Sequence, residues 1–86
     1  MKELIFNRVR SYVTPYSNAT SVTMKTDFAR HTSLDSLKIM DMVMELEDDF
    51  DITLPINLLS DVQTVGDLVD LVYNSANVKK TAVGVN

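Results

Sequence analysis

One serine in this sequence stands where its hydroxyl could do chemistry. Ser36 lies within Asp35-Ser36-Leu37, and His31, the one histidine of the chain, precedes it by five residues. A serine, a histidine and an aspartate are the parts of a nucleophilic triad, but a triad needs the imidazole between the other two, an oxyanion hole and a substrate cleft. Residues this close together at a loop-to-helix junction do not reach that geometry. We therefore expect no hydrolase activity from an 86-residue chain.

The sequence also lacks the other common patterns of catalytic or metal-binding sites. The acidic stretch DDFDITLPINLL has neither the glycine nor the closing glutamate of a calcium-binding loop. No glycine-rich phosphate-binding loop is present, and without cysteine the chain has no disulfide and no thiolate metal site. We expect no metal site and no catalytic residue.

Charge is distributed unevenly along the chain. The net charge is −4, but residues 35–72 carry ten acidic residues and a single basic one, Lys38. An acidic centre argues against nucleic-acid binding, which needs a basic face. It suits either a basic protein partner attracted over long range or a plain solvated surface. With no secretory signal and no apolar run near the ~20 residues of a membrane span, we expect a cytoplasmic, monomeric protein.

The element before Ser36 is predicted to be a helix followed by a long loop. Residues 2–14 carry an apolar face at helical spacing, and Pro15 ends the helix because proline lacks an amide hydrogen. The loop over residues 16–34 shows no periodicity and therefore needs apolar anchors. The residues of the helical face are Ile5, Val9, Tyr12 and Val13. The available loop anchors are Val22, Met24 and Phe28, of which we expect Phe28 to be buried.

A second helix is predicted from Asp35-Ser36 to about Asp49, and either Asp35 or Ser36 could cap it. Its core face comprises Ile39, Met42, Val43, Leu46 and Phe50. A second apolar stripe, bordered by Asp41, Glu47 and Asp48, comprises Leu37, Met40 and Met44. An apolar arc this wide indicates either a helix buried on two faces or a stripe left for a protein partner.

The rest of the chain predicts one short helix and one longer helix. Pro55 suits the first turn of the short helix, which should end near Ser60 or Asp61. Thr64 and Asp67 have the spacing of a capping box at the start of the next helix. The short helix is anchored by Ile56, Leu58 and Leu59, and the longer one by Val65, Leu68, Val69 and Val72. The predicted fold is all-α: a small four-helix bundle, with three longer helices and one short one and a long loop between helices 1 and 2. It spans residues 1–74, and 75–86 form a flexible tail.

Together these features resemble the acyl carrier proteins. The stretch DSLKIMDMVMELEDDFDITLP aligns with the pattern of that family without a gap. The resemblance is supported by Phe28 before this stretch and by Thr64-Val65 after it. It implies that Ser36 is the attachment site of 4′-phosphopantetheine, which a phosphopantetheinyl transferase would add from coenzyme A. The terminal thiol would carry acyl or aminoacyl groups as thioesters, so the protein would be a carrier and not an enzyme.

The resemblance also assigns partner contacts to the second helix. Enzymes that load, condense or transfer acyl groups would meet this helix with basic patches. The partner-binding residues would be Asp35, Leu37, Lys38, Met40, Asp41, Met44, Glu47 and Asp48. A small internal cleft able to shelter a short acyl chain would be lined by Val43, Leu46, Val65 and Leu68.

Several positions near Ser36 depart from the carriers of fatty acid biosynthesis. Lys38 stands where those carriers usually have an acid, and Ser33 replaces a typical glycine. Residues 30–32 (Arg-His-Thr) replace a stretch in which those carriers usually have acidic residues and a leucine. A changed charge beside the attachment point alters partner choice, and TSLDSL is similar to the carrier domains of polyketide and peptide synthetases. We therefore predict a specialised stand-alone carrier in a lipid, polyketide or secondary-metabolite pathway.

A second function class stays open at this point. In it, the protein is a non-covalent helical adaptor that docks a basic partner through its acidic second helix, and Ser36 is a simple helix cap. Addition of phosphopantetheine from coenzyme A, read by intact mass, separates the two classes.

Overall fold

The part of the chain that the structure describes contains five helices, three of them long. The structure is a computed structural model that describes residues 1–18 and 21–85, with side chains up to Ala76. The helices are α1 (Lys2–Val13), α2 (Phe28–His31), α3 (Ser36–Phe50), α4 (Ile56–Leu59) and α5 (Val65–Val85), and a 3₁₀ turn (Thr14–Tyr16) follows α1. Across this described region, we find no helix with the length and hydropathy needed to span a membrane.

The predicted all-α bundle with a long first loop is confirmed, with one more short helix than the four predicted. The additional helix is α2, a single turn inside the long loop. The carboxylate of Asp27 caps it by accepting the amide hydrogens of Ala29 and Arg30, at N···O distances of 2.8 and 3.0 Å. A turn this short has no hydrophobic period of its own, so helical spacing gave no sign of it.

The core is formed where α1 packs against α5 and α3. Apolar side chains at helical spacing on each of the three helices are withdrawn from water, which is the main source of stability in a domain this small. The most deeply buried of them are Ile5, Val9, Val13, Val43, Leu46, Val65, Leu68, Val69 and Val72. The predicted core faces of α1, α3 and α5 are therefore confirmed, with Tyr12, Ile39 and Phe50 only half-buried.

Two of the three predicted loop anchors are buried, and the third is not. Phe28 and Val22 pack into the core, as predicted. Met24 is 39% exposed, so the prediction that its side chain anchors the loop was wrong. Its main chain does the anchoring, because the Met24 carbonyl accepts the amide hydrogen of Gly66 at 2.8 Å.

Main-chain pairing continues on both sides of this contact. Thr26 accepts a hydrogen bond from the Val65 amide, and the Phe28 amide donates to Gln63, both at 2.9 Å. The loop therefore runs beside the start of α5 as a strand would. The contact requires a glycine, since a Cβ atom on Gly66 would lie 2.8 Å from the Met24 carbonyl oxygen.

The segment around α4 is held mainly by residues before the helix, and within the helix by Leu59, which packs against the core as predicted. Ile52 and Leu54 are buried, whereas Ile56 is 74% exposed and Leu58 is 43% exposed. The prediction that Ile56 and Leu58 anchor the short helix was wrong, because the preceding extended segment supplies the buried side chains. Pro55 caps α4 from just outside its first turn.

The start of α5 carries the predicted capping box. The Thr64 hydroxyl accepts the amide hydrogen of Asp67, and the Asp67 carboxylate accepts the amide hydrogens of Thr64 and Gln63. The helix then continues to Val85, past the predicted domain end at residue 74. The flexibility predicted for 75–86 stays a prediction, and the side chains from residue 77 onward lie outside the described ones.

Asp67 makes the stability of the fold depend on pH. The hydrogen bond from the Gln63 amide, with further bonds from Thr64, holds the pKa of Asp67 below its ordinary value of 3.8, while burial acts in the opposite direction. A lowered folded-state pKa means that the stabilisation is complete above the unfolded-state pKa and is lost as the pH falls through the folded-state value.

Asp67→Asn should therefore lower the free energy of unfolding at pH 7 by about 0.5 kcal/mol, because it removes a negative charge from a helix N-terminus. The difference from the parent protein should vanish well below pH 3.8. Urea unfolding at several pH values measures it, with the exposed Asp61→Asn as the control. A deficit of the same size at every pH would contradict this assignment.

Candidate functional site

Ser36 is the first residue of α3, and its side chain is exposed. The cap of this helix is Asp35, whose carboxylate accepts the amide hydrogen of Lys38 at 2.9 Å. Of the two cap candidates, the structure thus selects Asp35. Within the described residues the Ser36 hydroxyl has no hydrogen-bond partner, so it is available to another molecule.

An apolar groove begins beside Ser36 and runs between α3 and α4. Its volume is about 330 Å³, and besides Ser36 its lining includes Phe28, Ile39, Val43, Leu59, Val62 and Leu68. The predicted cleft is found at Val43 and Leu68. The prediction was wrong for Leu46 and Val65, which are fully buried in the core and do not line the groove.

A second groove, called the polar groove for the charged side chains among its otherwise mixed lining, begins at the same serine and runs between α2 and α3. Its volume is about 610 Å³, and it shares Phe28, Ser36, Ile39 and Val62 with the apolar groove. Its polar lining comes from Asp27, Arg30, Asp35 and Gln63. Ser36 therefore stands where an apolar and a polar groove meet.

The outer face of α3 presents apolar and acidic side chains together. Leu37 is 77% exposed, Met44 is 61% exposed and Met40 is 37% exposed. Asp41 and Asp48 on the same helix are exposed as well. Of the two interpretations of the wide apolar arc, the structure supports a stripe that is left uncovered by the rest of the fold.

Comparison with known proteins places these features in a family. A family model described as a phosphopantetheine attachment site matches residues 17–72. An acyl carrier protein of Clostridium acetobutylicum is 31% identical over 71 residues, which is 80% of this chain and 92% of the relative. This chain belongs to the acyl carrier protein family.

Other relatives agree with this membership. An acyl carrier protein of Caulobacter vibrioides is 37% identical over 70 residues, covering 79% of this chain and 90% of that one. A probable acyl carrier protein of the same species is 43% identical over 54 residues, and the chain spans just under two thirds of it, 63%. The solution structure of holo acyl carrier protein from Geobacter metallireducens shares the fold, with a TM-score of 0.72, 24% identity and coverage of 93% and 90%.

The prosthetic group of this acyl carrier protein is 4′-phosphopantetheine. The residues around α3 fit such a group, because an exposed hydroxyl with no partner among the described residues stands at a helix N-terminus beside two grooves. The amides and dipole of a helix N-terminus favour the negative charge of a phosphodiester.

One predicted docking residue of the carrier, Glu47, also stabilises the fold. Glu47 is half-buried, and its carboxylate accepts the amide hydrogen of Leu54 at 2.8 Å. Its carbonyl accepts the amide hydrogen of Ile52 at 3.0 Å. Glu47 therefore ties the segment before α4 to α3, and a partner contact by Glu47 stays a prediction.

Lys38 extends toward α1 and not across the outer face of α3. Its ammonium lies 5.2 Å from the centre of the Tyr16 ring. The two residues line a small pocket of about 150 Å³ together with Tyr12, Asp41 and Glu45. Sequence patterns missed Tyr16 and Glu45. Of the two, only Glu45 could have been found from the sequence, since it follows Asp41 at the spacing i+4 and therefore lies on the same side of the helix.

Tyr12 in the same pocket is joined to α3. Its hydroxyl donates to the carboxylate of Asp49 at 2.9 Å. Burial, and then this hydrogen bond, raise the pKa of Tyr12 above its ordinary value. The bond fixes the end of α1 to the last turn of α3.

His31 is used within the loop. Its Nδ1 atom accepts the amide hydrogen of Asp27 at 2.9 Å, and its own amide donates to the Asp27 carbonyl at 2.8 Å. The imidazole thereby closes the α2 turn. The structure gives His31 a role in shaping the edge of the polar groove.

Proposed function

We propose that Ser36 is the attachment residue for 4′-phosphopantetheine and that this protein carries acyl groups without catalytic activity of its own. The observation that carries the proposal is the Ser36 hydroxyl, which is exposed, unpartnered in the described part of the chain and located beside two grooves. A serine needed only as a cap would accept an amide hydrogen of its helix, and here Asp35 does so.

We propose that loading is a phosphoryl transfer to the exposed Ser36 hydroxyl. With a phosphopantetheinyl transferase, the Ser36 oxygen forms a bond to the phosphorus of coenzyme A that bears the pantetheine. Adenosine 3′,5′-bisphosphate leaves, and the hydroxyl proton passes to a base of the transferase. The group, once bound, supplies a thiol that holds an acyl chain as a thioester. The apolar groove offers about 330 Å³ in which a short chain is sheltered from water.

We further propose that α3 is the docking helix for the transferase and for the acyl-handling enzymes. Its uncovered stripe is Leu37, Met40 and Met44, and exposed carboxylates lie on the same helix. Methionine adapts its shape to different partners, while long-range attraction steers a basic patch toward the helix.

The pathway is proposed to be a specialised one. Lys38 lies two residues after the attachment serine and is held over Tyr16. A basic residue at this position repels the cationic patch that an acid would attract. Partner choice is a difference of affinities, so this single charge disfavours the enzymes that serve carriers with an acid at this position.

The proposal is tested by loading the protein from coenzyme A with a broad-specificity transferase. We expect one phosphopantetheine per chain by intact mass, and peptide mapping should place it on Ser36 and not on another serine. A protein that gains no mass would overturn the carrier function, and the adaptor function would replace it.

Docking through α3 predicts an electrostatic effect on loading. Asp41→Lys combined with Asp48→Lys should lower kcat/KM of the transferase at least about tenfold at low salt, and the deficit should shrink as salt screens the charges. Glu47 is left unchanged because it bonds to Leu54.

The matched control is Glu3→Lys with Asp61→Lys, which changes the net charge equally at exposed positions outside α3. Circular dichroism checks that both double variants keep their helices. Equal loading rates in the two variants would argue against α3 as the docking helix.

A further inference from the structure

We infer that Arg30 binds an oxyanion of the prosthetic arm within the polar groove. The inference rests on the proposed attachment at Ser36. It gives the polar groove a function separate from that of the apolar one: the apolar groove takes the acyl chain, and the polar groove takes the charged part of the arm.

The position of Arg30 is fixed by the turn that carries it. Its own amide is capped by Asp27, and the same turn is closed by His31 and attached to Gln63 through the Phe28 amide. α2 is thus held from both ends although it is only one turn long. A guanidinium on such a turn starts from a defined place at the wall of the groove.

The guanidinium itself is uncommitted. In the described part of the chain the Arg30 side chain makes no hydrogen bond and no ion pair, and it is exposed. The two aspartates that line the same groove are already bonded to main-chain amides. Asp27 accepts from Ala29 and Arg30, and Asp35 accepts from Lys38.

Arg30 is also the one cation among the described residues that line the two grooves beside Ser36. Lys38, the nearest other base along α3, lies over Tyr16 in the pocket on the α1 side. An anion attached to Ser36 therefore meets a single basic side chain along these grooves. Guanidinium is the side-chain group that best matches phosphate and carboxylate, since it donates two parallel hydrogen bonds.

Two oxyanions of the loaded protein can accept such paired hydrogen bonds from the Arg30 guanidinium. One is the phosphodiester, which is bonded to Ser36 in every loaded form of the protein. The other is a carboxylate on the carried acyl group, present only when the cargo is a dicarboxylic half-thioester. The phosphodiester is the better candidate because its attachment places it at the groove that Arg30 lines.

The experiment compares apo protein with three loaded forms: the free thiol, the acetyl thioester and the malonyl thioester. Each is prepared for the parent protein, Arg30→Gln, Arg30→Lys and the control Lys25→Gln, which removes a charge from an exposed loop position outside both grooves. The readouts are the ³¹P chemical shift and the shifts of the Ala29 and His31 amides on loading.

If Arg30 binds the phosphodiester, these shifts should differ between the parent protein and Arg30→Gln in all three loaded forms. The fraction of docked arm should fall about 2- to 5-fold, the range for an exposed ion pair. Arg30→Lys should fall between the two, and Lys25→Gln should match the parent protein. A difference confined to the malonyl form would assign the site to the cargo carboxylate.

Identical shifts for the parent protein and Arg30→Gln in all loaded forms would overturn the inference while leaving the attachment at Ser36 intact. Failure of the attachment itself is seen earlier, because no loaded form and no ³¹P signal would then be obtained. The two failures are therefore distinguishable.

Discussion

Ser36→Ala is expected to accept no phosphopantetheine at all while unfolding at the same urea concentration as the parent protein. The loss is complete because the hydroxyl oxygen is the atom that forms the bond to phosphorus. Stability is unchanged because this hydroxyl is exposed and makes no hydrogen bond in the described part of the chain, and because Asp35 supplies the cap. Intact mass after incubation with coenzyme A and transferase gives the first result, and urea unfolding gives the second.

Ser33→Ala is the matched control for this substitution. Ser33 is a second exposed serine, three residues before Ser36, and its hydroxyl lies 3.4 Å from the Tyr16 carbonyl oxygen. We expect it to load like the parent protein. Loading of Ser36→Ala, or loss of loading in Ser33→Ala with its fold intact, would show that the attachment residue has been misassigned.

The second large effect is expected in the fold. Phe28→Ala should lower the free energy of unfolding by about 3–5 kcal/mol, because it removes a ring that is 4% exposed and leaves a cavity behind. A loss of that size is a large part of the total stability of a small domain. Phe28 lines both grooves, so the truncation also enlarges the space beside Ser36. Urea unfolding of the apo protein, with the folded content checked by circular dichroism, measures the effect.

Phe6→Ala provides the comparison with the same chemical change. Phe6 is half-buried on α1, and the Arg10 guanidinium lies 5.6 Å from the centre of its ring. Less apolar surface returns to water when it is truncated, so a clearly smaller loss is expected. If Phe6→Ala cost as much as Phe28→Ala, the assignment of Phe28 as the main side-chain anchor of the loop would be wrong.

Much of the fold could be predicted from the sequence because the spacing of apolar residues along the long helices identifies which face of each helix is buried. The two stripes of α3 are an example: Val43 and Leu46 recur at core spacing and are buried, while Leu37 and Met44 fall on another face and are exposed. The capping box of Thr64 and Asp67 is likewise a local pattern, and it forms with the predicted partners.

Two features that the sequence did not reveal involve anchoring through main-chain groups. Met24 was expected to hold the loop with its side chain, but its carbonyl does so instead, and a carbonyl leaves no trace in the residue type. Glu47 was predicted as a partner-binding residue, and its structural bond was not foreseen. Its bond to the Leu54 amide depends on a turn that brings the two segments together, which helical spacing does not reveal.

The candidate site was predictable in part for the same reason. Ser36 was indicated by the motif around it, because the motif consists of neighbouring residues at the start of a single helix. The polar groove was not, because it exists only where α2 and α3 meet. Arg30 was noticed as a departure from the family pattern, but its place in the groove beside Ser36 is a property of the folded chain.

The loop before α2 is joined to the start of α5 through carbonyl and amide groups, with Gly66 as the one residue whose small size is required. Nearly every residue type can provide those groups. Evolution can therefore change the exposed side chains of this loop, such as Met24 and Lys25, without moving the bundle, whereas the buried Val22 and Thr26 are constrained by packing. The exposed side chains of this loop can thus vary while the scaffold stays constant, because they are not the groups that attach the loop to α5.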